Sequence, residues 1–90
     1  MTETSINYAK ALYELSVPEE AVLETEKIFR STPQLKGALE NPLVSLKEKE
    51  HVIDRVFPQE MKNFLKVTCK YQKISSIYDI LETYGDYSRK

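Results

Sequence analysis

Between its four prolines, the apolar residues of this chain recur at intervals of three and four, and no stretch alternates with period two for long. That spacing is helical, so the sequence predicts a wholly α-helical fold. Pro18, Pro33, Pro42 and Pro58 each stand where a helix can begin or must stop. Ser16-Val17-Pro18-Glu19 reads as a capping box, in which the serine oxygen accepts from a free backbone N–H while the glutamate reaches back. Ser45-Leu46-Lys47-Glu48 repeats that signature, and Thr32-Pro33 is a weaker start of the same kind. The expectation is a compact six-helix bundle with helices near residues 5–16, 18–31, 33–39, 46–57, 58–71 and 75–84. Residues 1–84 form the domain, and residues 85–90, polar apart from Tyr87, read as a frayed tail or the start of a linker.

Length and composition narrow the function. Ninety residues make one domain, and 41% apolar residues suffice for one core. The formal net charge is −1, which argues against general attraction to nucleic acid or anionic lipid. Two glycines, Gly37 and Gly85, cannot build a glycine-rich phosphate loop. The lone Cys69 excludes an internal disulfide and a multi-cysteine metal site. The opening Met1 to Asn7 is polar, unlike a secretory signal, and no apolar run approaches the roughly 18 residues of a membrane span.

No constellation of residues suggests catalysis. His51, the single histidine, lies off the apolar face of its helix and lacks the second histidine of a zinc-protease helix. Cys69 has no histidine at a suggestive spacing and reads as a half-buried structural thiol. Glu19, Glu20, Glu24 and Glu26 fall on the outer side of the second helix, a solvated surface. No metal, nucleotide or other cofactor is expected.

Helical projection is more informative. In the second helix Ala21, Val22, Thr25, Ile28 and Phe29 share an arc of roughly 120°, and in the fourth Leu46, Val52, Ile53, Val56 and Phe57 share roughly 140°. Those widths suit a helix that buries one stripe. Two helices exceed them. The first places Ile6, Ala9, Leu12 and Tyr13 in one sector and Tyr8, Ala11 and Leu15 in the next, an arc of roughly 220°. The fifth places Met61, Phe64, Leu65, Thr68 and Cys69 on one side, extended by Val67 and Tyr71 to roughly 200°. Either these two helices run through the middle of the bundle, or part of each face stays open for a partner. Ala11 between Tyr8 and Leu15 would form a shallow dip, suited to a helix docking from outside.

The fifth helix also carries Lys62, Lys66 and Lys70, with Lys73 beyond, and residues 61–90 have a local charge of +3 against −4 for residues 1–60. A solvated lysine face is the simplest reading; edging a groove that attracts an acidic partner helix is the functional one. Nucleic-acid binding would need interleaved arginines and exposed aromatics, which are missing.

Three stretches carry a family resemblance. Tyr8-Ala9-Lys10-Ala11-Leu12-Tyr13-Glu14-Leu15 resembles the opening of the delta subunit of F-type ATP synthases, related to the mitochondrial oligomycin-sensitivity-conferring protein. Asn41-Pro42-Leu43-Val44-Ser45 with its charged continuation is similar to a second landmark, and Phe64-Leu65-Lys66-Val67 running into Lys73-Ile74, Ile77, Ile80 and Tyr84 to a third. Order and spacing are kept over residues 5–87. The family often ends its fifth helix with Asn-Gly; here Tyr71-Gln72 stands there, so that helix is expected to end by other means.

The resemblance implies a non-catalytic stator (peripheral-stalk) subunit of a proton- or sodium-translocating ATP synthase, a six-helix bundle on top of the catalytic head. It implies that a groove between the first and fifth helices binds the amphipathic N-terminal helix of an alpha subunit, holding the head stationary during rotation. Tyr8, Ala11 and Val67 match the family's contact positions; Leu15, Phe64 and Tyr71 are added from projection alone. Family members are about twice as long, so the chain looks like an N-terminal domain, with b-type stalk subunits engaged by a second half. The implied location is peripheral, on the cytoplasmic side of a bacterial cell membrane, with no membrane insertion and no nucleic acid. A helical adaptor for some other amphipathic peptide is the alternative.

Overall fold

In a computed structural model that describes residues 2–88, the chain forms helices wherever the apolar spacing predicts them. The elements are α1 (Glu3–Glu14), α2 (Glu19–Ser31), α3 (Pro33–Glu40), α4 (Leu46–Val56), α5 (Gln59–Lys70) and α6 (Ile77–Ser88), the last preceded by a 3₁₀ turn over Ile74–Ser76. No strand occurs among the described residues, so the fold is an all-α bundle.

Local chemistry sets most of the boundaries. Thr2 caps α1, its hydroxyl accepting from the Ser5 N–H at 3.1 Å, so that helix begins two residues before the expected start. Ser45 caps α4 as its spacing implies, accepting from the Glu48 N–H at 3.2 Å. Pro33 occupies the first turn of α3, where its missing N–H costs nothing.

Ser16 is not the expected N-cap. It adopts φ 57° and stops α1, its N–H donating to the Tyr13 carbonyl at 3.1 Å, while α2 begins after Pro18 without a side-chain cap. At the end of α5, Gln72 takes φ 58° and donates to the Cys69 carbonyl, and Lys73 donates to that of Thr68 at 2.9 Å. This is the two-bond Schellman closure, formed without glycine. The helix therefore ends by the left-handed cap after all.

The reading of residues 85–90 as a tail is also corrected. The last helix continues to Ser88, and Tyr87 stacks on Tyr13 with ring centroids 6.1 Å apart. Residues 89 and 90 lie outside the described region.

α1 packs along α6, α5 along α4, and α2 touches α3, α5 and α6. Phe29, Leu12, Ile53, Met61, Leu65, Ile77 and Ile80 fill the centre. Phe29 meets Phe57 with centroids 5.0 Å apart. The buried hydroxyls of Thr25, Thr68 and Thr83 donate to carbonyls one turn back in their own helices, so none is orphaned. Two α6 tyrosines tie distant backbone, Tyr78 donating to the Phe29 carbonyl at 3.0 Å and Tyr84 to that of Val17 at 3.4 Å. The radius of gyration, 12.1 Å, is that of a close-packed chain of this length.

Several side chains lie elsewhere than projection puts them. Leu46 and Val56 are exposed, whereas Lys49, a charged residue within the same arc, is buried. Tyr13 is half exposed because α6 covers it only with Tyr84 and Tyr87. Cys69 is fully rather than half buried, and burial pushes its thiol up to about 11.

Candidate partner-binding groove

The two wide apolar arcs divide, on each helix, into a buried and an open part. On α1 Ala9 and Leu12 enter the core, while Ala11 and Leu15 remain exposed. On α5 Met61, Phe64, Leu65, Thr68 and Cys69 are buried, whereas Val67 and Tyr71 are about half exposed. Neither helix is a central one.

Their open parts face one another. Each helix leans on a different neighbour, α1 on α6 and α5 on α4, and their own backbones barely approach. What joins them is a ring contact: Tyr8 meets Phe64 edge to face, with centroids 6.3 Å apart and planes at 75°. Above this contact lies an open groove of about 410 Å³. Tyr8, Ala11, Leu15, Phe64 and Val67 line it, with Asn7 and Asn63 at its edges. Phe64, only 6% exposed, forms the floor, and the small Ala11 leaves the dip above it. The lining is almost wholly apolar.

Of the residues singled out by sequence, five line this groove together. Tyr71 does not line it but stands close enough to Tyr8 to act on its phenol, whose pKa is raised chiefly by burial and then by Tyr71. Asn7 and Asn63 escape an apolar projection because they are polar; their position beside Tyr8 and Phe64 in sequence is the only signal they give.

The lysine stripe follows the simpler of its two readings and does not edge the groove. No lysine lines the groove. Lys66 turns toward α4 and pairs with Asp54 at 2.8 Å, a hydrogen bond that holds the Asp54 carboxyl below its ordinary range. Lys62 donates to Gln59 at 3.3 Å, and Lys70 lies over the Tyr71 ring at 5.8 Å. The stripe is mostly a solvated face tied to its own neighbours.

The groove lining holds no carboxylate, imidazole, thiol or amine. His51 is exposed and remote from the groove lining. No group of three or more His, Cys, Asp or Glu that could hold a metal occurs among the described residues. No helix there is long and apolar enough to cross a membrane.

Comparison with known proteins points to one family. The family model described as ATP synthase delta (OSCP) subunit matches residues 5–90. The chain is 32% identical over 95 residues to ATP synthase subunit delta of Clostridioides difficile (strain 630), covering 92% of this chain and 52% of that protein. It is 28% identical over 94 residues to ATP synthase subunit delta of Prochlorococcus marinus (strain MIT 9301), with the same two coverages. The chain thus spans about half the length of these curated relatives. No solved structure matches it. Near-complete coverage by the family model, together with a relative above 30% identity, places the chain in the ATP synthase delta (OSCP) subunit family.

Proposed function

We propose that this domain is the head-gripping part of a peripheral-stalk subunit of an F-type ATP synthase. Its groove between α1 and α5 takes the amphipathic N-terminal helix of an alpha subunit. The observation that supports this reading is the groove itself: both helices carry more apolar surface than the core uses, and the surplus converges in one channel. Holding the head against the torque of the rotating shaft requires slow dissociation. Apolar burial with shape fit supplies that better than exposed charge pairs do. The domain has no catalytic role. It sits peripherally, on the cytoplasmic side of a bacterial membrane, and b-type stalk subunits are engaged by the part of the family's length that this chain does not span.

The test is calorimetric titration with a synthetic peptide of the alpha N-terminus. Ala11→Asp keeps the fold, because Ala11 is exposed, and puts an unpaired carboxylate into the dip. Affinity should fall by about 2–4 kcal/mol, the range of an anchor position. Equal affinity of the two proteins would refute the assignment. A panel of unrelated amphipathic peptides binding as tightly as the alpha sequence would favour a general helical adaptor.

A further inference from the structure

A second cavity lies past the C-terminal end of α5 and shares no lining residue with the groove. Its volume is about 300 Å³. Leu39, Pro42 and Ile74 provide apolar walls, and Gln72 and Ser75 provide polar groups. The residue that sets its character is Lys49, which also lines it and is only 8% exposed.

With its stem packed, the Lys49 side chain is already ordered, so an anion that meets its ammonium need not hold a mobile chain still. Among the described residues Lys49 has neither an ion pair nor a side-chain hydrogen bond. Among the described residues no side-chain nitrogen is sealed off without a partner, so the Lys49 ammonium keeps contact with solvent, and Lys49 lines the cavity. The remaining charge in the wall, Glu40, is already neutralised by Lys36. One cation is therefore left over. A single carboxylate matches it.

The rim indicates what carries that carboxylate. Pro42 is followed by Leu43, which is 92% exposed, the most exposed large apolar residue described. The Leu43 N–H donates to Asn41 Oδ1 at 2.9 Å, which fixes the backbone of the turn next to Pro42 in the cavity wall. We infer that this cavity receives an aspartate or glutamate of a partner polypeptide, whose adjacent apolar side chain packs on Leu43. A free small acid would use the cavity and leave Leu43 uncovered.

The probes are N-acetyl-Leu-Glu-amide, its neutral analogue N-acetyl-Leu-Gln-amide, and propionate, followed through the backbone amide resonances of Gln72 and Ser75. The acidic dipeptide should shift both saturably, with at least tenfold weaker binding of the neutral analogue. Lys49→Met, which keeps an unbranched stem in the same space, should lose at least tenfold as well. Leu43→Ser, at a site too exposed to affect folding, should weaken the dipeptide severalfold and leave propionate unchanged. Ala11→Asp should have no effect here, which separates this site from the groove. Absence of saturable shifts, equal binding of the neutral dipeptide, or propionate binding as tightly as the dipeptide would each overturn the proposal.

Discussion

Two residues with ordinary side chains, Ser16 and Gln72, hold the left-handed backbone that ends a helix. For a residue with a Cβ that conformation costs roughly 1–2 kcal/mol, part of which glycine would lose again as chain entropy. Gln72→Gly should therefore stabilise the domain by about 0.5–1 kcal/mol and raise Tm by about 2–8 °C. An unchanged or lower Tm would mean that the Gln72 side chain contributes something its exposed position does not reveal. Asp79 offers a second residue-scale test. The Ser5 hydroxyl beside it is the main reason its carboxyl lies below the ordinary value of 3.8. The ionised form thus favours the folded state, a contribution present above that value and lost as pH falls through the lower folded one. Asp79→Asn should be less stable than the parent at pH 7, and the gap should close near pH 2.5 in urea unfolding. A gap of constant size would show that the carboxylate is not involved.

At the scale of elements, Gly37 and Gly85 sit inside α3 and α6, and a methyl group at either would meet no atom within 4 Å. Replacing each by alanine should stabilise by about 0.5–1 kcal/mol, additively, because the helix loses its most flexible residue without a clash. Circular-dichroism melts of the single and double variants measure this. The helices themselves were legible because period and proline placement specify them locally. So were the overwide arcs of α1 and α5, since a projection counts apolar positions wherever they end up. What projection lacks is the neighbour. It counts Lys49 only as polar, although Lys49 and Val56 stand seven residues apart and so on one side of α4; the fold takes the lysine stem in and leaves the valine out. It is silent on Asn7 and Asn63, which border the groove only because Tyr8 and Phe64 meet across two helices distant in sequence. The left-handed Gln72 was hidden for a different reason: without glycine the sequence carries no sign of it.

The whole molecule is about 38 Å long and 24 by 22 Å across. Two long-range hydrogen bonds, from Tyr78 to the Phe29 carbonyl and from Tyr84 to that of Val17, fasten α6 to α2 and to the turn just before it. With α1 laid along α6 and α5 laid along α4, the separation of α1 from α5 is set by the rest of the bundle, and the Tyr8–Phe64 ring contact spans the gap. On the proposed function, a guest helix would find its berth ready-made. Nothing has to be prised apart before entry, so arrival should run at the ordinary 10⁵–10⁷ M⁻¹s⁻¹ of pre-shaped partners. Substitutions at Leu15 or Val67 should change how long the guest stays and scarcely how fast it comes, a distinction that surface-plasmon traces resolve directly. A grip built this way is rigid before it is loaded, and the strain of a turning shaft would meet a socket already at rest.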